Sequence, residues 1–183
     1  MRYLQYDRRD FLKLGLLGSL GAALPSMAFA GTARDGIERG LEFYNTHTSE
    51  RLKTTYWSGG SYLPGSLGDI NHILRDFRVN EIKAIDVRLL DLLHRLHASL
   101  DTSEPFHVIS GYRTAATNAL LHSASEGVAV HSLHIDGMAI DIRVPGRDLT
   151  VLHRAALDLQ GGGVGYYPKS DFVHVDVGRV RKW

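Results

Sequence analysis

The chain has 183 residues, 44% of them hydrophobic and 22% charged, with 21 lysines and arginines against 20 aspartates and glutamates, a formal net charge of +1. That composition supports one folded domain with its own core, excludes a disordered chain, and offers no basic excess to suggest nucleic acid or an anionic membrane as partner. There is no cysteine, so disulfides and thiolate metal sites are excluded and any metal must be held by His, Asp or Glu.

In chain order, the first segment reads as an address. Arg2, Arg8, Arg9 and Lys13 precede the apolar, glycine-rich run LGLLGSLGAAL, which Pro25 and the small-x-small triplet Ala28-Phe29-Ala30 follow. Charged, apolar and small-residue regions in that order predict a cleaved export signal over residues 1–30, the run being shorter than the roughly 20 residues of a bilayer span. The paired arginines of DRRDFLKLG resemble the twin-arginine export signal, with Asp7 where that pattern has Ser or Thr, and Sec export is the alternative. Cleavage removes four basic and two acidic side chains. No cysteine follows the run to carry a lipid, so the expectation is a periplasmic domain over residues 31–183 with no stable membrane anchor.

LEFYNTHTSERLKTTYW, from Leu41, predicts two short strands around a Thr/His/Ser turn, its aromatic and threonine positions suiting a pleated surface. GGSYLPGS reads as a loop. Leu67, Ile70, Ile73, Leu74 and Phe77 have helical spacing after a Ser66 cap, and Ile85, Leu89, Leu92, Leu93 and Leu96 mark a second helix with Asp86 in its first turn. PFHVISGYRT predicts a buried strand ending at Gly111. Thr114 caps a third helix through Leu121, and Asp148 a fourth through about Leu159, which the glycines 161–163 break. Two more strands lie in MAIDIRV and DFVHVDVG. The expected fold class is α+β, a small antiparallel sheet with helices packed on one face.

Alternation on those last two strands carries the chemical argument. Ile140, Ile142 and Val144 share one face and Ala139, Asp141 and Arg143 the other; Val173, Val175 and Val177 oppose Phe172, His174 and Asp176. If the strands are neighbours, Asp141 and His174 converge, and Gly137 permits the chain reversal that brings His134 to them. Two imidazoles and one carboxylate bind Zn²⁺ and leave a coordination position open, the mark of a catalytic rather than a structural site.

Ser132-x-His134-x-x-Gly137-x-Ala139-x-Asp141 together with His174 resembles the zinc peptidases that include D-Ala-D-Ala dipeptidases, murein endopeptidases and the hedgehog fold. The segments FYNTHT, SGYR, TNALL, GGVGYYP and FVHVDVG are similar to the periplasmic murein endopeptidase branch, and the resemblance spans residues 37–183. It implies one Zn²⁺ on His134, Asp141 and His174, acting on the peptide crosslinks of peptidoglycan during wall growth. It also favours Arg113 of SGYR as the residue that holds a substrate carboxylate or steadies a developing oxyanion.

For the general base the resemblance points to the acidic position three before the last histidine, Asp171, whereas strand alternation places Asp176 beside His174, where it accepts a proton or orients the imidazole. Asp176 is favoured and Asp171 stays open. Tyr112, Tyr166 and Tyr167 are candidate cleft walls, Tyr112 with a substrate-binding role, and His131 is a candidate for the cleft. His47, His72, His94, His97, His107, His122 and His153 lack comparable partners. GGGVGYYP lacks the Gly-Lys-Ser/Thr ending of a phosphate loop. The alternatives to an endopeptidase are a D-Ala-D-Ala carboxypeptidase or dipeptidase and a catalytically silent zinc module that binds the wall.

Overall fold

A computed structural model describes residues 38–183 apart from 125 and 126; the export signal expected over residues 1–30 lies outside them. β1 (Arg39–Asn45) and β2 (Arg51–Ser58) pair antiparallel around the expected turn. Asn45 builds that turn, its side-chain oxygen accepting from the amides of His47 and Thr48 while its amide group donates to Ile73 O. The loop read into GGSYLPGS contains instead a two-residue strand, β3 (Ser61–Tyr62), and the start of α1 (Pro64–Ile73). Proline at the first helical position, where no amide donor is needed, sets that start, so Ser66 lies inside the helix and caps nothing. The helix also ends early, leaving Phe77 in the turn that follows.

α2 (Val87–Ser99) is capped by Asp86, whose side chain accepts from Arg88 N at 2.9 Å. β4 (Phe106–Ser110) precedes α3 (Ala115–Ala124), where Thr114 Oγ1 accepts from Thr117 N. β5 (Ala139–Arg143) and α4 (Leu149–Asp158) follow as expected. Gln160, at φ +48°, makes the left-handed exit from α4, and the glycines after it lead into an unexpected strand, β6 (Gly163–Tyr167). β7 (Phe172–Asp176) and β8 (Arg181–Lys182) complete the chain.

The fold is α+β, but the sheet is neither small nor wholly antiparallel. Eight strands run in the order β3-β2-β1-β4-β5-β7-β6-β8, with parallel pairings at β1–β4 and β6–β8. The β1–β4 pairing fuses the N-terminal strands to the C-terminal group into one sheet. Leu89, Leu90, Leu93 and Leu96 of α2 and Leu152 of α4 pack on Ile140, Ile142, Val173 and Val175, the apolar face read from alternation. α3 contributes nothing to that core. Asn118 ties it through its amide to the carbonyls of Ala129 and Val130.

The glycines after α4 have a packing role. A Cβ on Gly162 would strike the carbonyl of Asp176, and one on Gly163 the Asp176 carboxylate and Arg181. Gly162→Ala is expected to cost about 3 kcal/mol, read as a lower urea midpoint at unchanged slope. A wild-type midpoint would mean that β6 shifts without penalty.

Candidate metal centre and its cleft

β5 and β7 are antiparallel neighbours, and Asp141 pairs directly with His174 in their register. Alternation sends both side chains to the face away from the helices. On the other side of β5 a register irregularity in β4 sets Ser110 opposite Asp141. Gly111 follows against the backbone of α1's exit, where a Cβ would meet Leu74 O. His134 arrives on a tight turn: the amides of Ile135, Asp136, Gly137 and Met138 bond back to carbonyls at residues 132–134. Gly137 reverses the chain at φ +69°, and a Cβ there would lie 2.6 Å from Ala84 O, so both its conformation and its contact exclude a side chain.

The three side chains meet. His134 Nε2 is 3.2 Å from Asp141 Oδ1 and 3.2 Å from His174 Nδ1, and His174 Nδ1 is 2.9 Å from Asp141 Oδ1. All three residues are buried, and among the described residues they form the His/Asp/Glu group with metal-ligand spacing. A tetrahedral centre with bonds of about 2.0 Å has edges of about 3.3 Å, so this triangle has the size of one face of a zinc site. The outer atoms fit as well. His134 Nδ1 donates to Gly111 O at 2.7 Å, and His174 Nε2 donates to Asp176 Oδ2 at 3.1 Å. With the imidazoles neutral, these outer bonds leave the lone pairs of His134 Nε2 and His174 Nδ1 facing the centre, the arrangement characteristic of ligating histidines.

Electrostatics favour a cation here. Burial raises the Asp141 carboxyl pKa, but His134 and His174 outweigh it and hold the group well below the usual carboxylate range. Burial depresses His134. It acts on His174 in the same sense, yet the hydrogen bonds to Asp141 and Asp176 prevail and raise that imidazole. A positive charge at the triangle is therefore stabilised, whether carried by a proton or a metal.

Arg113 is buried beside the cluster, its Nη2 paired with Asp141 Oδ2 and its Nε donating to Ser110 Oγ at 2.6 Å. It thereby holds the second carboxylate oxygen and leaves Oδ1 as Asp141's ligand atom. Asp176 is fully buried; its oxygens accept from His174, from Arg181 at 2.7 and 3.1 Å, and from the amides of Gly163 and Gly178. Burial opposes ionisation, but these donors outweigh it and hold the carboxyl far below its usual range. Asp171, left-handed at φ +53°, points outward with a 63% exposed side chain and pairs with Arg143 at 2.8 Å. Neither aspartate lines the cleft.

That cleft has a volume of about 460 Å³ and opens over His134, Asp141 and His174. His131 and Tyr167 are in its walls, as are Trp183 and Phe172. Tyr112 is elsewhere: it is 7% exposed in the core and donates to Glu81 Oε1 at 2.8 Å, with burial first and Glu81 second pushing its hydroxyl up to about 12. Tyr166 stacks on His153 instead. Arg181, Ser110 and Trp183 also belong to the site and its cleft, with no motif in the sequence to mark them. Only the alternation of RVRKW around a short strand hinted at Arg181, and a bulged Ser110 has no local signature.

The model of the peptidoglycan L,D-endopeptidase MepK family matches residues 34–183. A peptidoglycan L,D-endopeptidase MepK of Escherichia coli (strain K12) is 44% identical over 177 residues, 97% of this chain and 97% of the relative. The protein of the same description in Shigella flexneri matches with the same identity and coverage. With a His/Asp/His cluster of zinc dimensions under an arginine-lined cleft and similarity over nearly its whole length, this chain belongs to the peptidoglycan L,D-endopeptidase MepK family.

Proposed function

We propose that the chain is a zinc-dependent endopeptidase that hydrolyses L,D peptide crosslinks of peptidoglycan. The observation that carries this reading is the triangle of His134 Nε2, Asp141 Oδ1 and His174 Nδ1 with both imidazole protons held on outer acceptors. These three atoms are the proposed Zn²⁺ ligands. When bound, the ion supplies Lewis-acid polarisation of the scissile carbonyl and acidifies water near it.

The chain's own groups do the rest. Asp176 Oδ2 keeps the proton of His174 Nε2, and Gly111 O keeps that of His134 Nδ1, so the site is preorganised before substrate arrives. Arg113 spends Nε and Nη2 on Ser110 and Asp141, leaving Nη1 to face charge that develops on the substrate oxygen. Asp176, saturated by its donors, is a positioning residue in this reading. Tyr167 and Phe172, stacked at 4.6 Å, and Trp183, bonded to Tyr167 through Nε1 at 2.7 Å, wall the cleft for a peptide stem.

Action on peptidoglycan places the protein outside the cytoplasm, and we propose residues 1–30 as the twin-arginine-like signal that takes it to the periplasm. Among the described residues no helix is long and apolar enough to cross a membrane.

Digestion of purified sacculi by the zinc-loaded protein, with products resolved chromatographically, is the test. Loss of crosslinked dimers that stops with chelator and returns with zinc is expected. Shortened monomer stems alone would assign a carboxypeptidase, and metal binding without any product would assign a silent wall-binding module.

A further inference from the structure

Three arginines line the cleft: Arg78, Arg113 and Arg181. Two are committed to protein carboxylates, Arg113 to Asp141 and Arg181 to Asp176. Arg78 has no such ion pair among the described residues. Its guanidinium lies over the Phe77 ring at 4.4 Å, and Phe77 stacks in turn on His47 at 4.4 Å, so the charge sits on a preformed aromatic platform at the cleft wall.

The turn that carries it is built onto the Arg113 segment. Asp76 and Glu81 close the turn by reciprocal backbone bonds of 2.9 and 3.2 Å. The Asp76 carboxylate is buried and accepts from the Arg78 amide, from Thr114 N and from Thr114 Oγ1. Glu81 accepts from Tyr112 Oη, and Tyr112 N donates to Leu74 O at 2.8 Å. Residues 74–81 and 110–114 are therefore joined by several buried hydrogen bonds, and the turn that carries Arg78 is tied to the segment that carries Arg113. This gives Tyr112 a use: it braces the turn.

Partial burial lowers the Arg78 pKa; nearby Asp76 opposes this, and the charge of Arg113 lowers it further. Two cations on one wall repel each other until an anion enters between them. Among the described lining residues the only carboxylate is Asp141, which is already engaged by Arg113, so a carboxylate that meets Arg78 within the cleft is one that the substrate brings. A crosslinking amide whose nitrogen stands on a D-configured amino-acid centre carries that centre's carboxylate on the same carbon, within reach of the scissile bond.

We propose that Arg78 is a specificity-determining residue that binds the free substrate carboxylate adjacent to the scissile amide, a proposal that rests on the endopeptidase reading above. It makes Tyr112, Asp76 and Glu81 supports of a substrate clamp, and it separates two jobs within the cleft: Arg113 serves the reacting carbonyl and Arg78 selects the acid beside it.

The test uses the zinc-loaded full chain and two synthetic crosslinked muropeptide dimers, one with the free carboxylate on the carbon bearing the scissile nitrogen and one with that group converted to the primary amide. In the wild type, amidation should raise KM about tenfold, the scale of one charge-assisted contact. Arg78→Ala should raise KM about tenfold on the acid dimer and then ignore amidation, with a change of less than about twofold; Arg78→Gln should match it, and Arg78→Lys should keep part of the discrimination. If the alanine variant still discriminates acid from amide as the wild type does, or if the wild type does not discriminate, the clamp is wrong and the endopeptidase reading stands. If the wild type cleaves neither dimer, the endopeptidase reading falls and takes the clamp with it.

Discussion

His134→Ala is expected to lose its zinc and, with it, at least about 1,000-fold of its turnover on crosslinked muropeptides, since a Lewis acid supplies several kcal/mol to carbonyl hydrolysis and each 1.36 kcal/mol is a factor of ten. Of the three proposed ligands His134 gives the cleanest experiment. Asp141 also binds Arg113 through its second oxygen, and His174 also carries the Asp176 and Arg181 pair, so replacing either disturbs a second charged group. His134 makes its outer hydrogen bond to a backbone carbonyl, Gly111 O, which remains in place after truncation. Elemental analysis of the purified variant should find well under one zinc per chain, with far-UV circular dichroism showing that the sheet is retained. One tightly held zinc in that variant would remove His134 from the ligand set.

The centre is legible in the sequence because period-two alternation is a strong local rule. Once AIDIR and FVHVD are strands, Asp141 and His174 must leave the face that Ile140, Ile142, Val173 and Val175 bury, and the only further requirement is that the strands be adjacent. Gly137 is legible in the same way: the chain must reverse between His134 and the start of β5, and its positive φ is the conformation that a glycine supplies without strain. What escapes the sequence depends on partners far along the chain. β6 reads as a helix-breaking loop because Gly162 and Gly163 are small to clear Asp176 and Arg181, a constraint visible only when β7 lies beside them. The parallel β1–β4 pairing, which turns a small sheet into one of eight strands, joins residues about 60 positions apart. Phe77 continues the apolar spacing of α1, yet its ring is used against His47 and Arg78 and not in the helix.

Asp176→Asn and Asp171→Asn should separate the two aspartates by what is lost. Asp171 is exposed and its partner Arg143 is 38% exposed, and ion pairs of that kind are worth about 0–1 kcal/mol, so Asp171→Asn should keep turnover within about twofold. Asp176 is different. Its two oxygens serve His174, Arg181 and two backbone amides inside the protein, and an asparagine can present only one oxygen to the same donors. The variant should lose about 2–3 kcal/mol of stability from the weakened charged hydrogen bonds and bind zinc about 10- to 100-fold less tightly, because His174 is no longer held in the tautomer and orientation that direct Nδ1 at the centre. Titrating zinc into the activity assay makes the distinction. A positioning residue gives a variant whose turnover recovers as zinc is raised; a general base gives one that binds zinc as the wild type does and stays inactive at saturation. Recovery is the expected result, since a carboxylate with its oxygens already engaged and no exposure to the cleft has no lone pair to offer an incoming water. Persistent inactivity with full zinc would return Asp176 to proton transfer, and a large loss in Asp171→Asn would mean that the turn before β7 swings its outward carboxylate into the cleft when substrate binds.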